Sequence, residues 1–121
     1  MSIYKKFVLP EEIVNESLNI LGTASKTGKI RKGTNEVTKA IERKTALMVY
    51  IAEDVTPPEV VMHIPLLCEE KKVAYTFVST KTALGEAAGL KVGSASVAIV
   101  DAGEVKSSLE SLANKIAELK K

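Results

Sequence analysis

The residues best suited to chemistry lie in the run Lys32-Gly33-Thr34-Asn35-Glu36-Val37-Thr38-Lys39-Ala40-Ile41-Glu42-Arg43. Gly33, Thr34 and Asn35 are residue types that cap helices, and Val37 and Ile41 recur at the spacing of an inward helix face. A helix start presents free backbone N–H groups and the positive end of the helix dipole, which attract an anion without any side chain. Gly33 lets another backbone approach closely. Asn35 and Lys39 stand four apart and share a face, with Glu36 beside them. Asn both donates and accepts, Lys donates to guanine O6 or N7, and a Glu carboxylate accepts from base N–H groups. Such a trio reads the edge of a nucleobase while neighbouring cations hold phosphates. Spacing alone leaves a plainer alternative open: a capped surface helix with Glu36 paired to Lys39 or Lys32.

Other constellations carry less. The one histidine, His63, and the one cysteine, Cys68, are five apart on a mostly apolar segment. Two ligands make no zinc site, and a structural role is expected for both. There is no Gly-x-Ser-x-Gly elbow, and Gly28-Lys29 lacks the upstream glycine and the hydroxyl of a phosphate-cradling loop. Gly85, Gly89 and Gly93 recur every four residues, which is not a dinucleotide fingerprint. Glu69-Glu70 reads as a solvated helix end. Glu53-Asp54 ends a strand and is the pair on which Mg²⁺ would have to sit. No catalytic residue, metal or cofactor is expected; a small metal-dependent α/β enzyme using Glu53 and Asp54 stands only as an alternative. Tyr50, Tyr75 and Phe77 fall in core strands, and Tyr4 and Phe7 complete the aromatics. With no exposed stacking platform, a folded RNA shape suits this chain better than an extended single strand.

The elements that position these residues alternate between helical and strand periods. Pro10-Glu11-Glu12 opens a helix with Ile13, Val14, Leu18 and Leu21 inward and Gly22 placed to end it. Lys26–Lys32 is a turn and a short polar strand, and Glu36–Arg43 is helix. Ala46–Ala52 is a continuous apolar run, as in a strand covered on both faces. Pro57-Pro58 marks the next helix start, and Pro65 is expected to break or kink that helix into two pieces. Val73–Ser79 and Ser96–Ala102 are further buried strands, and Lys81–Ala88 is a short helix ended by Gly89. Glu104–Lys121 is a last amphipathic helix with Val105, Leu109, Leu112, Ile116 and Leu119 on one stripe. The pattern describes an α/β domain with helices on both faces of a sheet of about four strands.

The chain has 121 residues, 45% hydrophobic and 26% charged, which fits one folded domain over residues 1–121 and excludes disorder as the main state. No charge-free stretch exceeds nine residues, against the ~20 of a spanning helix, and Met1–Lys6 has no apolar signal run. A lone cysteine suits a reducing compartment, and the expected location is cytoplasmic. The net charge of +2 argues, taken alone, against a nucleic-acid protein. Its distribution says otherwise: residues 26–44 carry +5 and residues 45–70 carry −5. A phosphate backbone responds to the local potential.

At these residues the chain resembles the L-seven-Ae/L-thirty-e family of ribosomal proteins, most closely its archaeal members. The family's Gly-x-Asn-Glu-x-Thr-Lys signature stands as Gly33-Thr34-Asn35-Glu36-Val37-Thr38-Lys39. Similar blocks are Ala52-Glu53-Asp54-Val55-Thr56-Pro57-Pro58-Glu59, His63-Ile64-Pro65-Leu66-Leu67-Cys68-Glu69-Glu70-Lys71 and Leu84-Gly85-Glu86-Ala87-Ala88-Gly89-Leu90. The likeness runs from about Leu9 to the last helix. It implies a three-layer α-β-α sandwich around a mixed sheet, and binding to kink-turn and kink-loop RNA, bent loops built on tandem sheared G·A pairs. By the resemblance, Asn35, Glu36 and Lys39 contact the guanines; Lys32, Gly33 and Thr34 contact phosphates, and Arg43 the backbone. Leu90, Lys91 and Val92 cover an extruded nucleotide, and Lys81 is a further RNA-facing lysine. The implied partners are ribosomal RNA of the large subunit, box C/D and H/ACA guide RNA with the guide-complex proteins, and archaeal RNase P RNA. No membrane and no obligate homo-oligomer is implied. A purely structural ribosomal role of the L-thirty-e kind is the alternative. Four positions depart from the pattern: Thr34 where alanine is common, Lys44 where glycine is frequent, and Gly93 and Ser94 where small apolar residues or proline are usual.

Overall fold

Pro10, in extended conformation, precedes α1 (Glu11–Thr27), and Glu11 and Glu12 occupy its first turn, where their charge meets the positive dipole end. The computed structural model describes residues 10–56 and 59–120, without the side chains of the last two. Tyr4, Phe7, the helix start at Pro57-Pro58 and the side chain of Leu119 lie outside the described residues. Gly22 does not end α1, contrary to expectation; the helix runs on to Thr27 and stops at Gly28. Burial of Ile20, Leu21 and Ala24 around Gly22 outweighs the ~1 kcal/mol that a helical glycine costs.

The chain continues as β1 (Lys29–Lys32), α2 (Thr34–Glu42), β2 (Met48–Ala52), α3 (Glu59–Lys71), β3 (Ala74–Val78), α4 (Lys81–Ala87), β4 (Ser96–Asp101) and α5 (Lys106–Lys120). A 3-10 turn, Gly103–Val105, leads into α5, so that helix starts at Lys106 rather than at the expected Glu104. Leu109, Leu112 and Ile116 of the stripe are buried. The four strands form one mixed sheet in the order β1-β4-β2-β3, parallel only between β2 and β3. β2 is buried at every residue, as a central strand covered on both faces must be. β1, the polar strand, lies at an edge.

Two tyrosines define the layers. The Tyr50 hydroxyl donates to the Ser17 carbonyl of α1 at 2.7 Å, and the Tyr75 hydroxyl donates to Glu69 of α3 at 2.6 Å. Val49 sits opposite Tyr75 in the parallel pair, so Tyr50 and Tyr75 project to opposite faces of the sheet. α4 and α5 pack with α1, and α2 packs with α3. The result is the expected three-layer α-β-α sandwich. Burial pushes the Tyr50 hydroxyl well above its ordinary pKa, which keeps it a donor.

Pro65 does not divide α3, contrary to expectation. The helix is continuous through it, and Val61, Ile64, Pro65 and Cys68 form its buried stripe. That burial offsets the backbone hydrogen bond that proline cannot donate. No helix among the described residues is long and apolar enough to cross a membrane.

α2 and α3 end alike. After α2, Lys44 N–H donates to Ile41 O and Thr45 N–H to Ala40 O; after α3, Lys72 N–H donates to Glu69 O and Val73 N–H to Cys68 O. Both are Schellman turns, which place one residue in the left-handed region. Lys44 and Lys72 occupy those places with φ 58°, where a side chain costs roughly 1 kcal/mol. Lys44→Gly is therefore expected to raise stability by about 0.5–1 kcal/mol, and Lys44→Val to lower it. Urea unfolding midpoints of the two variants check this; equal midpoints would show that the turn carries no strain.

Candidate nucleic-acid interface

β1 runs antiparallel to β4 as far as Lys32, opposite Val97. The chain then turns at Gly33, whose φ of 88° suits glycine alone. A Cβ on Gly33 would meet nothing within 4 Å, so backbone angle rather than crowding selects this glycine. Its N–H donates to the Ser96 carbonyl at 3.2 Å, which pins the start of α2 to the start of β4. Thr34 and Asn35 are not caps, as their types suggested, but first-turn residues of α2; Gly33 is the N-cap and no side chain caps the helix. The first-turn N–H groups are left facing outward with the dipole's positive end.

Val37, Ala40 and Ile41 bury the inner face of α2, and Asn35, Glu36, Lys39 and Arg43 are exposed. Among the described residues Glu36 makes no ion pair and no side-chain hydrogen bond. The alternative in which it pairs with Lys39 or Lys32 is therefore not realised. α3 braces this helix: Thr38 Oγ1 donates to the Thr34 carbonyl at 2.7 Å and stands 2.9 Å from His63 Nε2. With the hydroxyl proton committed to Thr34, His63 must be the donor, which sets its tautomer. Cys68 lies in the core while His63 is exposed, so the two do not converge on a metal.

Lys81 and the segment from Leu90 to Ala95 form the second half of the candidate site. Asp54 Oδ1 accepts the Lys81 N–H at 2.8 Å, and Thr80 Oγ1 accepts the Ala83 N–H at 3.0 Å. Asp54 is thus an anchor for the start of α4. The loop then folds back on α4. Leu90 N–H donates to Gly85 O at 2.9 Å and Ser94 N–H to Lys81 O at 3.1 Å. A Cβ on Gly85 would overlap the Val92 carbonyl, so only glycine admits the loop so close. Lys91 is exposed and Val92 is 72% exposed. Leu90 is half-buried against the core, which makes it the loop's foot and leaves Val92 as its free apolar tip.

The structure brings Lys32, Gly33, Lys81 and the Leu90–Ala95 loop together through β4, with Thr34, Asn35, Glu36 and Lys39 on the adjoining helix. Arg43 stands apart, roughly 13 Å along the axis from Thr34 at 1.5 Å per residue. It shares a cleft of about 310 Å³ with Arg31, Glu36, Lys39 and Val100. Arg31 is a cation that helical spacing alone does not bring to this face. Alternation along a four-residue strand puts either Ile30 or Arg31 towards α2, and the sheet order, which periodicity does not encode, decides which. A second cleft, about 370 Å³ at α1 and the end of β3, carries Glu11 and Glu53 and, among the described residues, no Lys or Arg in its wall. Its sign is wrong for phosphate.

The sequence matches the Ribosomal protein L7Ae/L30e/S12e/Gadd45 family over residues 15–108. Among solved structures, a Giardia lamblia 15.5kD RNA binding protein is 31% identical and superposes with a TM-score of 0.84. That match covers 98% of this chain and 99% of the other. With the four-stranded mixed sheet, the helix order and nearly the full length in common, the chain belongs to the Ribosomal protein L7Ae/L30e/S12e/Gadd45 family.

Proposed function

We propose that the protein binds RNA, selecting kink-turn and kink-loop structures and stabilising their bend. The observation that carries this reading is Glu36, an unpaired carboxylate on an exposed helix face beside Lys39, Arg43 and Arg31. A surface built only to attract phosphate gains nothing from an acid there. A surface that reads guanine gains an acceptor for its N1–H and N2–H₂. Asn35 and Lys39 supply the remaining edge contacts. The uncapped start of α2, with Lys32, Gly33 and Thr34, holds phosphate, and Arg43 and Lys81 hold the backbone on either side. Lys91 and the apolar tip Val92, footed on Leu90, cover an extruded base.

The protein acts by binding rather than by catalysis. The free energy comes from phosphate neutralisation, guanine contacts and apolar burial of one base. The partners are those the resemblance implies: large-subunit ribosomal RNA, box C/D and H/ACA guide RNA with their assembly proteins, and RNase P RNA, in the cytoplasm of an archaeon.

The deciding experiment titrates the protein against a short kink-turn hairpin and against the same RNA with its G·A pairs replaced by Watson–Crick pairs. The kinked RNA is expected to bind far more tightly. Equal affinity would leave only a basic patch. Side-chain roles separate by a second comparison. Glu36→Ala is expected to cost about 1–3 kcal/mol on the kinked RNA and to relax discrimination for the G·A pairs. Lys32→Ala is expected to weaken both RNAs alike and to reduce the salt slope by about one ion. Equal losses for both variants on both RNAs would overturn the division of labour.

A further inference from the structure

Ser94, in the loop, directs both its backbone N–H and its hydroxyl inward. It is 8% exposed. Its N–H donates to the Lys81 carbonyl of α4 at 3.1 Å, and its hydroxyl donates to the Ser96 carbonyl at 2.9 Å. That carbonyl is the one that accepts the Gly33 N–H at the start of α2. A carbonyl oxygen has two lone pairs, and here one holds the helix start and the other holds the loop. Ser94 thus ties α4, the loop and α2 at a single point. The glycine contacts support the same joint: besides the Gly85 contact with Val92, a Cβ on Gly93 would stand 3.1 Å from Lys81 Cβ. The loop backbone is therefore seated on the first turns of α4 with Lys91 and Val92 projecting outward.

We infer that Ser94 is a positioning residue that locks the Leu90–Ala95 loop against the start of α2 before RNA arrives; the inference rests on the RNA reading above. A loop that samples other conformations binds with an affinity reduced by the fraction of time it is competent. The Ser94 hydroxyl raises that fraction. It touches no RNA itself.

The test uses the full chain with two variants and two readouts. Ser94→Ala is expected to lose about three- to tenfold in affinity for a kink-turn hairpin bearing an extruded nucleotide. The same variant is expected to bind normally when that nucleotide is replaced by an abasic linker. In the RNA-free protein, Ser94→Ala is expected to raise amide hydrogen exchange at residue 94 by about tenfold, with the exchange at Ile41 and Val49 unchanged. Ser94→Thr, which keeps the hydroxyl, is expected to retain both properties. Unchanged exchange or unchanged affinity in Ser94→Ala overturns the lock, as does a matching loss in Ser94→Thr. If the wild-type chain shows no preference for kinked RNA, the functional reading fails, and the exchange measurement still decides whether the lock exists.

Discussion

The Ser96 carbonyl is the point on which the arrangement depends. It opens β4, the strand that lies between β1 and β2 and so carries the middle of the sheet. From that position it accepts from Gly33 and from Ser94, and so joins the uncapped helix start to the loop. Neither partner is held by its own local sequence. Gly33 has an angle that other residues avoid, and the loop has exposed residues and glycine, the most costly types to order. The rigid sheet supplies what they lack. A site assembled on the end of a buried strand keeps its geometry because moving it means moving the core.

The charge pattern follows the same economy. The +5 of residues 26–44 converges on β1 and the outer face of α2, and the acidic stretch that follows is spent elsewhere: Asp54 anchors α4 and Glu69 receives Tyr75. Glu36 is left among cations without a partner. Its charge weakens the local attraction for phosphate, so a purely sticky surface would be better without it. An acid in this place favours selection over affinity. The small net charge acts in the same direction, because non-specific RNA binding scales with the phosphates a surface can neutralise.

Much of the fold was legible in the amino-acid pattern because its signals are strong and local. The apolar runs around Val49, Phe77 and Ala98 are strands, and Gly89 and Pro10 bound helices near where they should. The failures share one cause. Gly22 and Pro65 are breakers by local preference, yet both sit inside continuous helices because neighbours on the buried stripe outweigh them. Thr34 and Asn35 read as caps by type, yet Gly33 takes that place because its N–H is held by a strand sixty residues away in sequence. The candidate site divides in the same way. Asn35, Glu36 and Lys39 are visible from helical spacing. Arg31, Asp54 and Ser94 are not, because their roles come from contacts between elements distant in the chain, and no periodicity encodes those.

The bare start of α2 is the last consequence of this design. A serine, threonine or aspartate cap is worth about 1 kcal/mol, and the sequence has Thr34 one position too late to supply it. The helix is held instead from its sides and its far end: Thr38 and His63 brace the first turn to α3, Val37 and Ile41 bury the inner face, and the Schellman turn at Lys44 closes it. With the helix secured by those contacts, its first N–H groups need not be satisfied from within the chain. In the proposed complex a phosphate oxygen takes the place of the missing cap, and the stabilisation that an internal cap would have given the free protein becomes binding energy for RNA.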